Sequence, residues 1–120
     1  MNNINIQYKD TENTIIILHK AKKIITEEIE KAGYKAEAIY LFGSRARGDY
    51  KEDSDWDFFA VTDRDLSKED WKYVLRNIRR KMADSDITTD IIIKSKNIYE
   101  HQKKGTGFLS YYVNKEGVTI

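Results

Sequence analysis

The first pattern of apolar residues along the chain is helical. Between Thr11 and Ala32, apolar side chains recur at spacings of three and four, which places them on one face of a helix. Gly33 follows directly and is a natural helix stop. We therefore predict a helix over this segment, with a buried face made by Leu18, Ala21, Ile25 and Ile29.

Three shorter segments have the pattern of β-strands. Ala36–Phe42 is apolar on both faces and ends at a glycine, which is typical of a buried strand. Asp55–Thr62 alternates, so that its odd-numbered residues share one face and its even-numbered residues share the other. A third strand is predicted from Asp86 to Lys94, and it carries a central aspartate, Asp90.

Further helices follow the second and third strands. Ser67 and Asp70 are spaced as in a helix capping box, and the apolar stripe behind them consists of Trp71, Val74, Leu75, Ile78 and Met82. Two shorter helices are predicted at Asn97–Lys103 and Phe108–Lys115, with Gly117 just past the second. In that last helix, an aromatic patch predicts core packing or a contact between copies of the chain: Phe108, Tyr111, Tyr112 and Val113. We expect one α+β domain over residues 1–120, with a small mixed β-sheet covered by helices.

Composition narrows the class of protein. The chain has 120 residues, no cysteine and a net charge of +1. One core fits this length, a second lobe does not, and disulfide and thiolate metal sites are excluded. The weak net charge makes a nucleic-acid partner unlikely, since tight binding would need a local basic patch. No apolar run approaches the roughly 18 residues of a membrane span, and the start, Met1–Asn5, lacks a signal-peptide pattern. We expect a cytoplasmic protein with no membrane partner.

Three aspartates are the first candidates for chemistry. Asp55 and Asp57 lie two residues apart on a predicted strand, so both can reach metal ions over one surface. Asp57 and Asp90 each lead into strongly apolar sequence, where a carboxylate is costly unless it is paired or bound to a metal. Oxygen ligands of this kind suit Mg²⁺. The alternative is that the aspartates simply decorate solvated strand ends.

A Gly-Ser-Arg segment follows the first strand. Gly43 and Ser44 open a predicted helical turn, where backbone amides and a hydroxyl can contact phosphate oxygens. Arg45 or Arg47 can add positive charge to a triphosphate, although Arg47 can equally pair with Asp49. If Ser44 and Asp55 serve one site, the first two strands are antiparallel.

Together, these segments resemble the nucleotidyltransferase domain of the DNA polymerase β superfamily. The resemblance rests on residues 43–48 (GSRARG), on residues 54–57 (SDWD) and on the later strand aspartate Asp90, and the nearest branch is the minimal nucleotidyltransferases. Phe58 departs from the leucine or isoleucine that is more usual in the family, which is a conservative difference.

The resemblance implies a reaction and a partner. Asp55, Asp57 and Asp90 are the implied catalytic and metal-binding residues, holding two Mg²⁺ ions, and the implied nucleotide-binding residues are Gly43, Ser44, Arg45 and Arg47. An acceptor hydroxyl attacks the α-phosphate of ATP or another nucleoside triphosphate and releases pyrophosphate. In the minimal group, the usual acceptor is a tyrosine of a helical HEPN-type toxin, and the transferase acts as the antitoxin.

Two other functions remain open at this point. The protein could neutralise a partner by binding alone, without chemistry, or it could adenylylate a small molecule such as an aminoglycoside. A basic run on the second long helix is expected to be a solvated face or to receive an acidic partner: Arg76, Arg79, Arg80 and Lys81.

Overall fold

The computed structural model describes residues 11–120, and the start of the chain considered above lies outside this range. The described elements are α1 (Thr11–Lys31), β1 (Ala36–Phe42), α2 (Ser44–Arg47), β2 (Trp56–Thr62), α3 (Lys68–Asp84), β3 (Thr89–Ser95), α4 (Lys96–Gln102), α5 (Leu109–Glu116) and β4 (Val118–Thr119).

The strands form one mixed sheet in the order β3-β2-β1-β4. β1 is antiparallel to β2 and to β4, whereas β2 and β3 are parallel. The α+β class and the antiparallel pairing of the first two strands are therefore confirmed. In this arrangement, the C-terminal end of β1 lies beside the N-terminal ends of β2 and β3, at one end of the strands.

The sheet has an apolar core on each face. Helices α1 and α3 pack on one face, against strand residues that include Ile39, Leu41, Phe58, Ala60 and Ile91. A smaller cluster on the other face joins the sheet to α4 and α5 and contains Phe59, Val61, Tyr99 and Val113. The division of β2 between the two clusters confirms the alternation that the sequence predicts. Asp57 belongs to the same face as Phe59.

Some elements differ from the sequence-based prediction. β3 begins at Thr89 rather than Asp86, because Asp86 has a positive φ of 58° and turns the chain after α3. β4, which the sequence pattern does not indicate, pairs Val118 and Thr119 with Leu41 and Tyr40.

Side chains also differ from their predicted burial. Trp71 was expected in the apolar stripe of α3 but is 41% exposed, and it lines a cavity of about 280 Å³ with Leu66, Ile93 and Ile98. In the aromatic patch of α5, Val113 is buried, whereas Phe108 and Tyr112 are exposed. No helix in residues 11–120 is both long enough and apolar enough to cross a bilayer.

Candidate active site

Two of the three candidate aspartates are neighbours across the sheet. In the parallel pairing of β2 and β3, Asp57 is the register partner of Asp90. Side chains at paired positions lie on the same face, on strands about 4.8 Å apart. Asp55 lies just before β2 and is exposed. The sheet therefore brings the carboxylates of Asp57 and Asp90 close together, at the end of the strands where β1 finishes.

Gly43 lies beside Asp57, on the side opposite Asp90. The antiparallel register pairs Phe42 with Asp57, so the next residue, Gly43, lies beside this carboxylate. A Cβ atom added to Gly43 would lie 2.2 Å from Oδ2 of Asp57. Gly43 also has φ 76° and ψ −159°, a conformation that residues other than glycine essentially do not adopt. Both the space and the backbone conformation require glycine here.

The turn after Gly43 is the short helix α2. The backbone amides of Ala46 and Arg47 donate to the carbonyl oxygen of Gly43, each at 3.1 Å. Gly48 ends the turn in the left-handed conformation and donates to the carbonyl of Ser44. Ser44 is therefore the first helical residue after the strand, next to the residue that contacts Asp57.

The two arginines of this segment have different surroundings. Arg47 is exposed, with Nε 3.4 Å from Oδ2 of Asp49 and Nη1 4.0 Å from Oε1 of Glu116. The alternative prediction that Arg47 pairs with Asp49 is thus confirmed. Arg45 is buried and donates to the backbone carbonyls of Glu52 and Ser54. This placement favours a structural role for Arg45 over a contact with a triphosphate.

The electrostatics single out Asp57. Burial raises the pKa of the Asp57 carboxyl above its usual value, and the negative charges of Asp90 and Asp55 raise it further. The positive charge of Arg47 acts in the opposite direction. An ionisable group with a raised pKa, crowded by like charges, is typical of a functional site.

Comparison with known proteins assigns the family. Residues 22–107 match the polymerase β nucleotidyltransferase family, and this range includes Gly43, Ser44, Arg45, Arg47 and the three candidate aspartates. The chain belongs to that family. A crystal structure from Sulfolobus solfataricus, of a protein with a provisional assignment as a nucleotidyltransferase, is 31% identical to this chain with a TM-score of 0.54. The match covers 76% of this chain and 78% of the other. No curated protein matches this nucleotidyltransferase.

The donor set fits a hard divalent cation. Carboxylate oxygens are the ligands that Mg²⁺ prefers, and a cation would relieve the repulsion between Asp57 and Asp90. Within residues 11–120, no three His, Cys, Asp or Glu side chains lie close enough to hold a metal by themselves. Mg²⁺ usually takes one or two carboxylates from a protein and completes its shell with substrate phosphates and water. The three-aspartate ligand set stays a prediction, as do the nucleotide contacts of Gly43, Ser44, Arg45 and Arg47.

Sequence reasoning missed two features of the site. Glu116, at the end of α5, lies near Arg47 at the point where the chain enters β4 and pairs with β1. The surroundings of Arg45 depend on Tyr50 and Trp56, whose rings lie against its guanidinium. An aromatic residue on each side of the Asp53–Asp55 segment is the signal that was available in the sequence.

Proposed function

We propose that this nucleotidyltransferase moves AMP from ATP to the hydroxyl of a tyrosine on a HEPN-type helical toxin, and that it acts as the antitoxin. The observation that carries the proposed chemistry is the register pairing of Asp57 with Asp90, with Gly43 against Asp57. The acceptor is supported by the resemblance to minimal nucleotidyltransferases.

Different residues of the site would bind the metal and orient the triphosphate. The carboxylates of Asp57 and Asp90, with Asp55 beside them, would hold Mg²⁺. When bound, Mg²⁺ neutralises charge on the triphosphate and on the attacking and leaving oxygens of an in-line displacement. The Ser44 hydroxyl and the Arg47 guanidinium would orient the phosphates from the β1 side.

Asp90 is the candidate residue for a role at the acceptor. Within residues 11–120, its strand, β3, is the last strand on one side of the sheet, so Asp90 has a neighbouring strand on one side only. We infer that the acceptor hydroxyl enters from the open side of β3 and that Asp90 helps to take its proton. The new bond joins the acceptor oxygen to the α-phosphorus, the bond between the α-phosphorus and its bridging oxygen breaks, and pyrophosphate leaves. Such catalysis rests on positioning and charge stabilisation.

Transfer of label tests this function directly. The protein is co-expressed with the product of the neighbouring reading frame, as the candidate HEPN-type partner, and the mixture is incubated with α-³²P-ATP and Mg²⁺. We expect label on a tyrosine of the partner, and none with the Asp55→Ala/Asp57→Ala double variant. Label on neither protein, together with full neutralisation by the double variant, would instead show an antitoxin that acts by binding alone. Label on an aminoglycoside rather than on protein would show a small-molecule transferase.

A further inference from the structure

Arg45 is an unusual buried charge. Within residues 11–120, Arg45 and Glu28 are the buried charged side chains, with Arg45 only 8% exposed. Glu28 pairs with lysines, whereas Arg45 forms no ion pair with any carboxylate of this range. A buried cation usually has a carboxylate partner. Asp53 and Asp55 flank Ser54 in the chain, yet Arg45 bonds to the backbone carbonyl of Ser54 and not to their carboxylates.

The partners of Arg45 are aromatic rings and backbone carbonyls. Its guanidinium carbon lies 4.4 Å from the ring centre of Tyr50 and 4.3 Å from that of Trp56. Nε donates to the carbonyl of Ser54 at 3.2 Å, and Nη2 donates to the carbonyls of Ser54 and Glu52, each at 3.0 Å. A planar guanidinium can stack on a ring and donate from its edge at the same time, which an ammonium group cannot do.

These contacts hold the backbone immediately before Asp55. The carbonyl of Ser54 belongs to the peptide that joins Ser54 to Asp55. Trp56, under the guanidinium, packs in the core on the α1 and α3 face, while Asp57 lies on the opposite face. A rotation of Trp56 about the strand axis would therefore also rotate Asp57. The single turn of α2 thus places Gly43 against Asp57 and Arg45 against the peptide before Asp55.

We propose that Arg45 is a positioning residue that holds the 50–56 loop, and with it Asp55 and Asp57, in the geometry needed for metal binding. It is not a ligand of the nucleotide. The aromatic rings and the backbone carbonyls stabilise its positive charge without a carboxylate, which leaves the aspartates available to the metal. The consequence for catalysis rests on the proposed function, whereas the consequence for the loop does not.

Hydrogen exchange tests the loop without any reference to activity. The amides of Lys51, Ser54 and Trp56 are hydrogen-bonded, to Ser54 Oγ, Lys51 O and Thr88 O respectively. We expect these amides to exchange about tenfold faster or more in Arg45→Lys, in Arg45→Ala and, to a lesser degree, in Tyr50→Ala, because local opening becomes easier. Amides of α3 should keep their exchange rates. Unchanged protection of the loop in all three variants overturns the proposal.

Arg64→Ala is the matched control. Arg64 lies over the ring of Tyr34, at 4.3 Å, and donates to the carbonyl of Gly33 at 2.8 Å. It lies beyond the far end of β2, about 20 Å along the strand from Trp56 at the usual rise per residue. We expect Arg64→Ala to leave the exchange of residues 51–56 unchanged.

The Mg²⁺ dependence of ATP binding separates a positioning role from a ligand role. For Arg45→Lys, we expect the half-saturating Mg²⁺ concentration to rise about 10-fold or more, the usual effect of losing an outer-shell partner, while saturating Mg²⁺ restores ATP affinity. Loss of ATP affinity at every Mg²⁺ concentration, with the loop still protected, would show a nucleotide ligand and overturn the proposal. If the wild type binds no ATP, the proposed function fails, and hydrogen exchange alone still decides the role of Arg45.

Discussion

The contact between Gly43 and the Asp57 carboxylate makes a specific prediction at the scale of single residues. In Gly43→Ala, the new methyl group overlaps Oδ2 of Asp57, and the backbone conformation becomes strained. We expect a loss of about 1–3 kcal/mol in the free energy of unfolding, measured by urea titration, and a loss of Mg²⁺-dependent ATP binding because the carboxylate is displaced.

Gly33→Ala is the control for this substitution. Gly33 also has a positive φ, of 93°, but a Cβ added there meets nothing within 4 Å. We expect it to cost about 1 kcal/mol through strain alone and to leave ATP binding intact. If Gly43→Ala and Gly33→Ala bound ATP with the same affinity in the presence of Mg²⁺, the close approach of Gly43 to Asp57 would not matter for nucleotide binding, which would contradict this prediction.

The raised pKa of Asp57 links the site to stability. A carboxyl whose folded-state pKa lies above its unfolded value binds more protons in the folded state, so its charged form lowers stability as pH rises through that window. In metal-free protein at pH 7, we expect Asp57→Asn to raise the free energy of unfolding by about 0.5 kcal/mol, since solvent screens a half-buried carboxylate. The difference should disappear below the unfolded-state pKa, where wild-type Asp57 is protonated in both states. Urea titrations at several pH values would show this, and a destabilised Asp57→Asn at pH 7 would contradict it.

Single residues also mark the limit of the sequence-based prediction. Asp57 and Asp90 could be found because a carboxylate that leads into an apolar strand stands out. The direction of the Arg45 side chain could not be found, because it depends on Tyr50 and Trp56 closing around it in the folded loop. The motif identifies the arginine, and only the fold distinguishes a phosphate contact from a loop contact.

At the scale of elements, the packing of α1 on α3 includes a buried ionic contact. The Glu28 carboxylate is 2% exposed and accepts hydrogen bonds from Lys81 of α3 and from Lys31. Burial alone would raise the pKa of Glu28, but the two lysines outweigh it and the pKa lies below its usual value. Lys81 was predicted to belong to a solvated basic face, and the structure places it in this contact instead.

Glu28→Gln tests that contact. A lowered folded-state pKa gives stability that is present above the unfolded pKa and lost as pH falls through the folded pKa. We expect the variant to lose about 2 kcal/mol at pH 7, the usual worth of hydrogen bonds to a charged group, and to match the wild type in acid. Lys31→Met, at a side chain that is 58% exposed, should cost about 0.5 kcal/mol or less. Equal losses for the two variants in thermal or urea unfolding would contradict this account.

Long periodic elements could be predicted from the sequence, and short ones could not. α1 and α3 have apolar stripes over several turns, so packing and pattern agree. β4 has two residues and no alternation, and it exists because Ile120 is buried and its amide donates to the carbonyl of Ile39. Pairing that depends on tertiary contacts of this kind leaves no local signal.

At the scale of the whole molecule, the strand order explains why distant segments form one site. Residues near positions 43, 57 and 90 lie on or next to three strands. The order β3-β2-β1 places them side by side at one end of these strands. The antiparallel direction of β1 and β2 followed from the hypothesis that Ser44 and Asp55 serve one site. The identity of the acceptor could not be inferred in this way, because the aspartates and the Gly-Ser-Arg segment specify only a metal and a phosphate.

The measurement that tests the central claim most directly is calorimetric titration of the protein with ATP, with Mg²⁺ and with EDTA, for the wild type and for Asp57→Ala. If Asp57 and Asp90 hold the metal that binds the triphosphate, the wild type binds ATP only with Mg²⁺, and the variant loses about tenfold or more in affinity. An Asp57→Ala protein that is folded by circular dichroism and binds ATP with wild-type affinity, or a wild type that binds none with Mg²⁺ present, would contradict the account.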